Sequence, residues 1–150
     1  ETGPFAHGYT YAGHPLAAAA GLKTIEIMLR EKLVDNAQKV GNYLQTRLKE
    51  TFLDNPLVGE VRGVGMMAGV ELVADKAKKI PFDPSAKIGP RITQLLLEEG
   101  VIHRAILNAL AYAPPLVMTE SDVDEMIERD ERAVRKLSDE LAREGLWKAA

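Results

Sequence analysis

The chain has 150 residues, 46% of them hydrophobic and 27% charged, which fits one soluble globular domain with a hydrophobic core. Its formal net charge of -3 gives no electrostatic reason to expect nucleic acid or an anionic membrane surface as a partner. The absence of cysteine excludes disulfides, thiolate metal sites and cysteine nucleophiles, and it fits a reducing, cytoplasmic environment.

A glycine-punctuated, irregular segment at residues 1–13 leads into a helix that begins at Pro15. Proline suits the first turn of a helix because its missing N–H group would have no partner there. Residues 7–15, HGYTYAGHP, bring backbone N–H groups and a threonine hydroxyl together at this helix start, an arrangement suited to binding an anion. His7 and His14 have no acidic residue or cysteine beside them, so we expect hydrogen bonds that orient the loop rather than a metal site.

Apolar residues at helical spacing predict two consecutive helices, with a break near residues 32–35 and an end at Asn55-Pro56. The valines and glycines between Val58 and Val73 predict two short strands or one bulged strand. The GxGxxxG spacing at residues 63–69 is one residue longer than a dinucleotide-binding loop, and strand-forming residues follow it where such a loop needs a helix. We therefore interpret these glycines as close backbone packing in the strands.

The second half of the chain predicts a surface loop at residues 75–85, a helix at 86–100 with Gly100 as its C-terminal stop, and two strands at 101–104 and 110–112. A capping box at residues 119–122 opens the longest amphipathic helix. The predicted buried stripe of that helix is Val123, Met126, Ile127, Val134, Leu137 and Leu141. The element order predicts an α+β plan, a small sheet with helices against it.

Arg104 is the best candidate for a binding residue, because it stands between apolar residues at the end of a predicted strand. A guanidinium in such surroundings is either paired or faces a cavity, since burying it alone is costly. The planar fork of arginine suits a carboxylate. From the residues alone, an internal salt bridge and a carboxylate ligand remain equal alternatives.

Three motifs, in this order along the chain, resemble those of class III aminotransferases and point to the omega-aminotransferase group. Residues 5–15, FAHGYTYAGHP, with the alanine-rich helix after them, resemble the HGxTYxGHP segment of the family. Residues 61–72, VRGVGMMAGVEL, resemble its VRGxGLMxGxEL strands. Arg104 and residues 113–116, APPL, resemble its R…APPL stretch before the last helix. The resemblance covers nearly the whole chain.

The resemblance implies an α+β fold: the small C-terminal domain of a fold type I pyridoxal-phosphate enzyme, with a short mixed or antiparallel sheet, helices packed on it and a long interdomain helix before it. Residues 1–14 would form a cofactor-phosphate loop that belongs to the large domain and the dimer interface. Residues 15–53 would be the interdomain helix and the following helix, and residues 54–150 the small α/β domain. The chain would then correspond to the C-terminal third of the enzyme.

The resemblance also implies roles for three residues. Thr10 would reach across a homodimer interface to the cofactor phosphate held in the other subunit, and Tyr9 would border the same site. Arg104 would grip the substrate carboxylate and swing away when an uncharged amino donor binds. Many family members carry Gly-Asp shortly after this arginine, whereas this chain has Leu107 and Asn108, which changes backbone freedom and charge there.

The implied enzyme is a cytoplasmic transaminase that moves an amino group between an amine or omega-amino acid and a 2-oxo acid such as pyruvate. Its cofactor would be pyridoxal 5'-phosphate, with no metal. The Schiff-base lysine of the family lies upstream of the matched segment, so no catalytic residue is assigned here and the chain alone is expected to be inactive. The alternative is a non-catalytic, stand-alone α+β module that binds an anion or a partner.

Overall fold

The computed structural model describes residue 3 and residues 7–148, and the chain divides into two compact units between Val34 and Asp35. Phe5 and Ala6 of the first motif lie outside the described residues. None of the helices in the described ranges combines the length and the apolar character that crossing a bilayer requires.

The first unit contains the loop and helix α1 (Pro15–Arg30). Pro15 occupies the first turn, as predicted, and the imidazole Nδ1 of His14 caps the helix by accepting a hydrogen bond from the amide of Ala17 at 3.3 Å. The helix ends just before Lys32, whose φ of 52° is left-handed and cannot continue an α-helix. In the described chain, α1 has no buried residue.

The second unit begins within α2 (Leu33–Phe52) and continues into a β-hairpin made of β1 (Val58–Val64) and β2 (Met67–Asp75). Gly65 makes the turn with a φ of 55°. A Cβ added at Gly63 would lie 2.4 Å from the carbonyl oxygen of Met67, so this glycine is needed for close backbone approach. The predicted pair of strands is confirmed, and the strand–turn–strand order is not that of a dinucleotide-binding loop.

The described chain adds the strands β3 (Ile80–Pro81), β4 (Arg104–Ile106) and β5 (Ala109–Tyr112) to this hairpin. Four strands form an antiparallel sheet in the order β1-β2-β5-β4, and β3 pairs with the far end of β2. The α+β class is confirmed, and all pairings are antiparallel. Because β4 is an edge strand with one partner, its position depends on β5 and on the side chains beneath it.

Two local predictions were wrong. The expected surface loop at 75–85 contains β3, which pairs with β2 through Val73 and Asp75. The expected strand at 101–104 begins only at Arg104, because the tight turn at Leu107 and Asn108 sets the register and pairs Arg104 with Ala111. Leu107 has a φ of 55°, an uncommon conformation for a residue with a branched side chain.

Helix α3 (Ile88–Glu98) packs close to this turn, and α4 (Glu120–Arg143) completes the fold. A Cβ added at Gly89 would lie 2.4 Å from the carbonyl oxygen of Leu107. Gly100, with a φ of 82°, follows α3, as its predicted role as a stop requires. The predicted capping box of α4 is present, and its predicted stripe is buried except for the partly buried Met126.

The core consists of apolar side chains from the three helices of the second unit and from the inner face of the sheet. The large side chains that are fully buried include Phe52, Leu44, Leu48, Leu72, Ile92, Leu96, Leu110, Ile127, Leu137 and Leu141. This core fixes the inner face of the sheet, whereas the edge strand β4 carries the candidate binding residue.

Candidate functional site

Tyr9 and Thr10 lie next to each other on the loop before α1, in the first unit. The amide of Ala12 donates to the carbonyl oxygen of Tyr9 at 2.9 Å, which closes a turn around Thr10. Gly13 follows with a φ of 75°, a left-handed conformation that glycine adopts without steric cost. The sequence therefore folds locally into a compact turn that projects the side chains of Tyr9 and Thr10 outward.

The loop offers several hydrogen-bond donors that the described part of the chain does not use. Within residues 7–148, neither the Thr10 hydroxyl nor the amides of Thr10, Tyr11 and Gly13 have a hydrogen-bond partner. The Tyr9 ring is 75% exposed and packs edge-on against the ring of His7, with ring centres 5.1 Å apart. Hydroxyl and amide donors gathered before a helix N-terminus are suited to phosphate oxygens.

Arg104 belongs to the second unit, where it is the first residue of β4 and lies opposite Ala111 in the sheet. Its side chain is exposed and lines a cavity of about 660 Å³. Among the described residues, no carboxylate forms an ion pair with its guanidinium. Of the two alternatives left open by the sequence, the structure therefore shows the cavity and not an internal salt bridge.

The other charged residues of this cavity are committed to the protein. Arg129 donates to the carbonyl oxygen of Glu99 at 2.7 Å and pairs with Glu125 at 2.5 Å. Asp122 accepts hydrogen bonds from the amide and hydroxyl of Thr119 in the capping box, and these bonds lower its pKa. Among the described residues that line this cavity, Arg104 is therefore the cation left available to a ligand.

A buried polar group that the sequence analysis missed lies beneath β4 and β5. The hydroxyl of Tyr112 donates to Oδ2 of Asp130 at 2.9 Å, and Asp130 is 0% exposed. The other carboxylate oxygen, Oδ1, has no hydrogen-bond partner in the described structure. Burial raises the pKa of Asp130 to about 7, although the hydrogen bond from Tyr112 acts in the opposite direction.

His103 joins this group from the residue directly before Arg104. Its ring packs edge-to-face against Tyr112, with ring centres 4.4 Å apart. Burial lowers the pKa of His103, which favours the neutral imidazole at pH 7. The sequence did contain one sign of this group, because Asp130 falls at helical spacing between Ile127 and Val134 on the buried stripe of α4.

Sequence comparison finds a match to the class-III aminotransferase family over residues 1–134. A diaminobutyrate–2-oxoglutarate transaminase from Halomonas elongata is 51% identical over 100% of this chain and 32% of its own length. A putrescine–pyruvate aminotransferase from Pseudomonas aeruginosa is 41% identical over 85% of this chain and 28% of its own length.

Solved structures give the same result. A transaminase structure from work on ancestral reconstruction has a TM-score of 0.86 and 51% identity over 92% of this chain and 31% of that one. The omega transaminase from Pseudomonas jessenii in complex with PMP has a TM-score of 0.83 and 38% identity over 91% of this chain and 30% of that one. The chain spans about a third of the length of the relatives it matches.

These matches cover all three motifs and support the aminotransferase interpretation rather than the stand-alone binding module. The family match also fits the observed antiparallel sheet with its helices. The chain belongs to the class-III aminotransferase family.

Proposed function

We propose that these residues supply a cofactor-phosphate loop and a substrate-carboxylate site to a pyridoxal-phosphate-dependent aminotransferase. The enzyme would move an amino group between an amine or omega-amino acid and a 2-oxo acid such as pyruvate. The observation that carries this proposal is the guanidinium of Arg104, which lines an open cavity without an anionic partner in the described chain. The two curated relatives are named for 2-oxoglutarate and pyruvate, which are both 2-oxo carboxylates.

Arg104 suits carboxylate recognition for physical reasons. Its guanidinium can donate two parallel hydrogen bonds to one carboxylate, and such charge-assisted bonds are stronger than neutral ones. The cavity wall also contains the apolar side chains of Ile106, Pro114, Met118 and Met126. Apolar side chains beside an unpaired cation favour a substrate that has a carboxylate on an aliphatic chain.

The loop at residues 7–14 fits the phosphate of the cofactor, because the Thr10 hydroxyl and the amides of Thr10, Tyr11 and Gly13 have no partner in the described chain. Thr10 would donate its hydroxyl hydrogen to a phosphate oxygen, and Tyr9 would border the pocket. Bound pyridoxal phosphate supplies the electron sink that amino-group transfer requires. Thr10 holds the anion in place, and Arg104 orients the substrate by its carboxylate.

We further propose that this site is shared across a homodimer in the cytoplasm, with Thr10 contacting the cofactor bound in the partner subunit. In this arrangement residues 1–14 belong to the large domain and dimer interface, residues 15–53 connect the domains, and residues 54–150 form the small domain. The lysine that binds the cofactor would come from another part of the whole protein, so residues 1–150 alone would be inactive.

Substitution of Arg104 in the natural protein that contains these residues tests the proposal. Arg104→Ala is expected to raise KM for a carboxylate-bearing donor by about tenfold or more, because a charge-assisted pair is lost. KM for a simple amine of similar size should change by less than about twofold, on the same reasoning. Steady-state kinetics with both donors measures the difference.

Arg135→Ala is the matched control, because Arg135 is an exposed arginine of α4 that lies outside this cavity. It should leave both KM values unchanged. Equal losses for the two donors in Arg104→Ala would contradict the carboxylate role.

A further inference from the structure

We propose that Tyr112 and Asp130 are positioning residues that fix the edge strand β4 and therefore the direction from which Arg104 enters the cavity. The proposal deepens the proposed function, since it rests on Arg104 as the carboxylate-binding residue. It assigns a purpose to a buried carboxylate that does not itself line the cavity of Arg104.

The Tyr112–Asp130 pair is deeply buried. Asp130 is 0% exposed and Tyr112 is 3% exposed, and the hydrogen bond between them spans 2.9 Å. A buried carboxylate with only one partner is costly in an apolar core, where leucine would pack without that penalty. The core around it is otherwise apolar, because Asp130 is the sole buried charged residue among those that the structure describes. A residue retained at such a cost is a candidate for a specific role.

A series of contacts connects this pair to Arg104. The Tyr112 ring is held at its hydroxyl end by Asp130, and it makes a T-shaped contact with the His103 ring, with ring centres 4.4 Å apart. His103 is joined directly to Arg104, and both residues line the cavity with Tyr112. Rotation or displacement of the Tyr112 ring would therefore move His103, the residue directly before β4.

Strand β4 is held in the sheet by few hydrogen bonds of its own. β4 has three residues, and within residues 7–148 it pairs only with β5, through Arg104, Ala105 and Ile106. Short edge strands with one partner open easily, and contacts on their inner side decide how well they are ordered. The ring contact between His103 and Tyr112 provides such a contact at the N-terminal end of β4.

The experiment compares three variants of the natural protein. Tyr112→Phe removes only the hydroxyl that binds Asp130. The double variant Tyr112→Phe/Asp130→Leu also removes the stranded carboxylate, so it restores an apolar core without restoring the hydrogen bond. Tyr43→Phe is the matched control, because the Tyr43 hydroxyl also donates to an aspartate, Asp124, but links α2 to α4 far from β4 in the chain.

Hydrogen exchange measured by mass spectrometry reports the order of β4 without depending on activity. We expect the peptide covering residues 103–106 to exchange about tenfold faster in Tyr112→Phe and in the double variant, because β4 opens more often. Tyr43→Phe should exchange at the wild-type rate in this peptide. The thermal midpoint should fall in Tyr112→Phe and recover in the double variant, which separates local order from global stability.

Kinetics then tests the consequence for Arg104. In the double variant, KM for a carboxylate-bearing donor should rise about fivefold, because the orientation of the carboxylate is affected. For a simple amine, both kcat and KM should stay within about twofold of the wild-type values. If residues 103–106 of the double variant exchange at the wild-type rate while its thermal midpoint recovers, the positioning role of Tyr112 and Asp130 is overturned.

Asp130→Asn provides a second route if the double variant stays unstable. Asparagine keeps an oxygen that accepts from Tyr112, so exchange in β4 and both KM values should remain near wild type. Fast β4 exchange in Asp130→Asn would overturn the role of this hydrogen bond. If Arg104→Ala itself affects both donors equally, the proposed function fails, whereas the exchange data still decide whether Tyr112 and Asp130 order β4.

Discussion

Helices α1 and α4 show opposite relations between composition and burial. Helix α1 is rich in alanine and leucine, yet it has no buried residue in the described chain. Helix α4 carries many charged residues, yet seven of its residues are buried and form one side of the core of the second unit. The apolar content of a helix therefore does not predict whether its residues are buried, either for α1 or for α4.

The difference arises because burial needs a partner surface as well as an apolar stripe. In α4 the stripe repeats at helical spacing and meets α3 and the sheet. In α1, Leu16, Leu22, Ile25 and Leu29 are all exposed in the described chain. Substitutions in α4 should therefore change the stability of the fold, and substitutions in the first unit should change binding while leaving stability unaffected.

The largest effect is expected in the core. Leu137→Ala should lower the free energy of unfolding of the 150-residue chain by about 2–5 kcal/mol, because Leu137 is fully buried and its loss leaves a cavity. Leu22→Ala, the same change at an exposed position of α1, should stay within about 0.5 kcal/mol. Urea unfolding measures both, and similar losses would show that the contrast between the helices is wrong.

The next effect concerns the one buried charge of α4. Burial raises the pKa of Asp130 from 3.8 to about 7, so the folded protein holds this proton at pH values where the unfolded chain releases it. Stability should therefore fall as pH rises from 4 through 7, by at most about 4 kcal/mol, since each pKa unit corresponds to about 1.4 kcal/mol. Urea unfolding across this pH range should show a flatter profile for Asp130→Asn.

Glu99→Gln is a control of opposite sign for this profile. Hydrogen bonds from Lys136 and Arg132 hold the pKa of Glu99 at about 2. Its contribution to stability is present above pH 4.5 and is lost only as pH falls toward 2. Glu99→Gln should therefore leave the slope of stability against pH unchanged between pH 5 and 7. A wild-type slope in Asp130→Asn would contradict the prediction that Asp130 holds a proton in the folded protein.

The smallest of these effects belongs to the first unit. Thr10→Ala in the natural protein should weaken binding of pyridoxal phosphate by about 1.5–3 kcal/mol, because a hydrogen bond to a charged group is lost. Thr10→Ser keeps the hydroxyl and should bind as wild type. Thermal unfolding of the protein without cofactor should not change, because Thr10 is exposed.

Thr46→Ala is the matched control for cofactor binding, since the Thr46 hydroxyl donates to its own helix at the carbonyl oxygen of Asn42. Binding can be followed by titration of the cofactor absorbance. Unchanged affinity in Thr10→Ala would remove the phosphate role from this loop.

Much of the fold could be predicted because periodic patterns and local signals agreed. The stripe of α4, its capping box and the stop at Gly100 all arise from short-range chemistry that a sequence displays directly. The hairpin of β1 and β2 was predictable for the same reason, since valines with interspersed glycines lie on both sides of its turn.

The errors came from features that depend on distant partners. Strand β3 has two residues and exists because β2 extends far enough to pair with it. The start of β4 depends on a turn at Leu107, a residue that ordinary turn preferences would not place there. Asp130 was missed because its partner, Tyr112, is eighteen positions away in the chain.

The candidate site was predictable only in part. The residues alone marked the loop and Arg104 as places for an anion, and the family resemblance supplied the roles of Tyr9 and Thr10. Only the folded structure shows that Arg104 has no ion pair in the described chain. It also shows that other charged groups of its cavity bind to protein groups.

The contact between Gly89 and the turn at Leu107 has a consequence for protein engineering. Position 89 admits no side chain, because any Cβ there would meet the carbonyl oxygen of Leu107. Position 107 is open, since its side chain is 86% exposed and its left-handed backbone is one that glycine adopts freely. Engineering of this turn should therefore test Leu107→Gly and leave Gly89 unchanged.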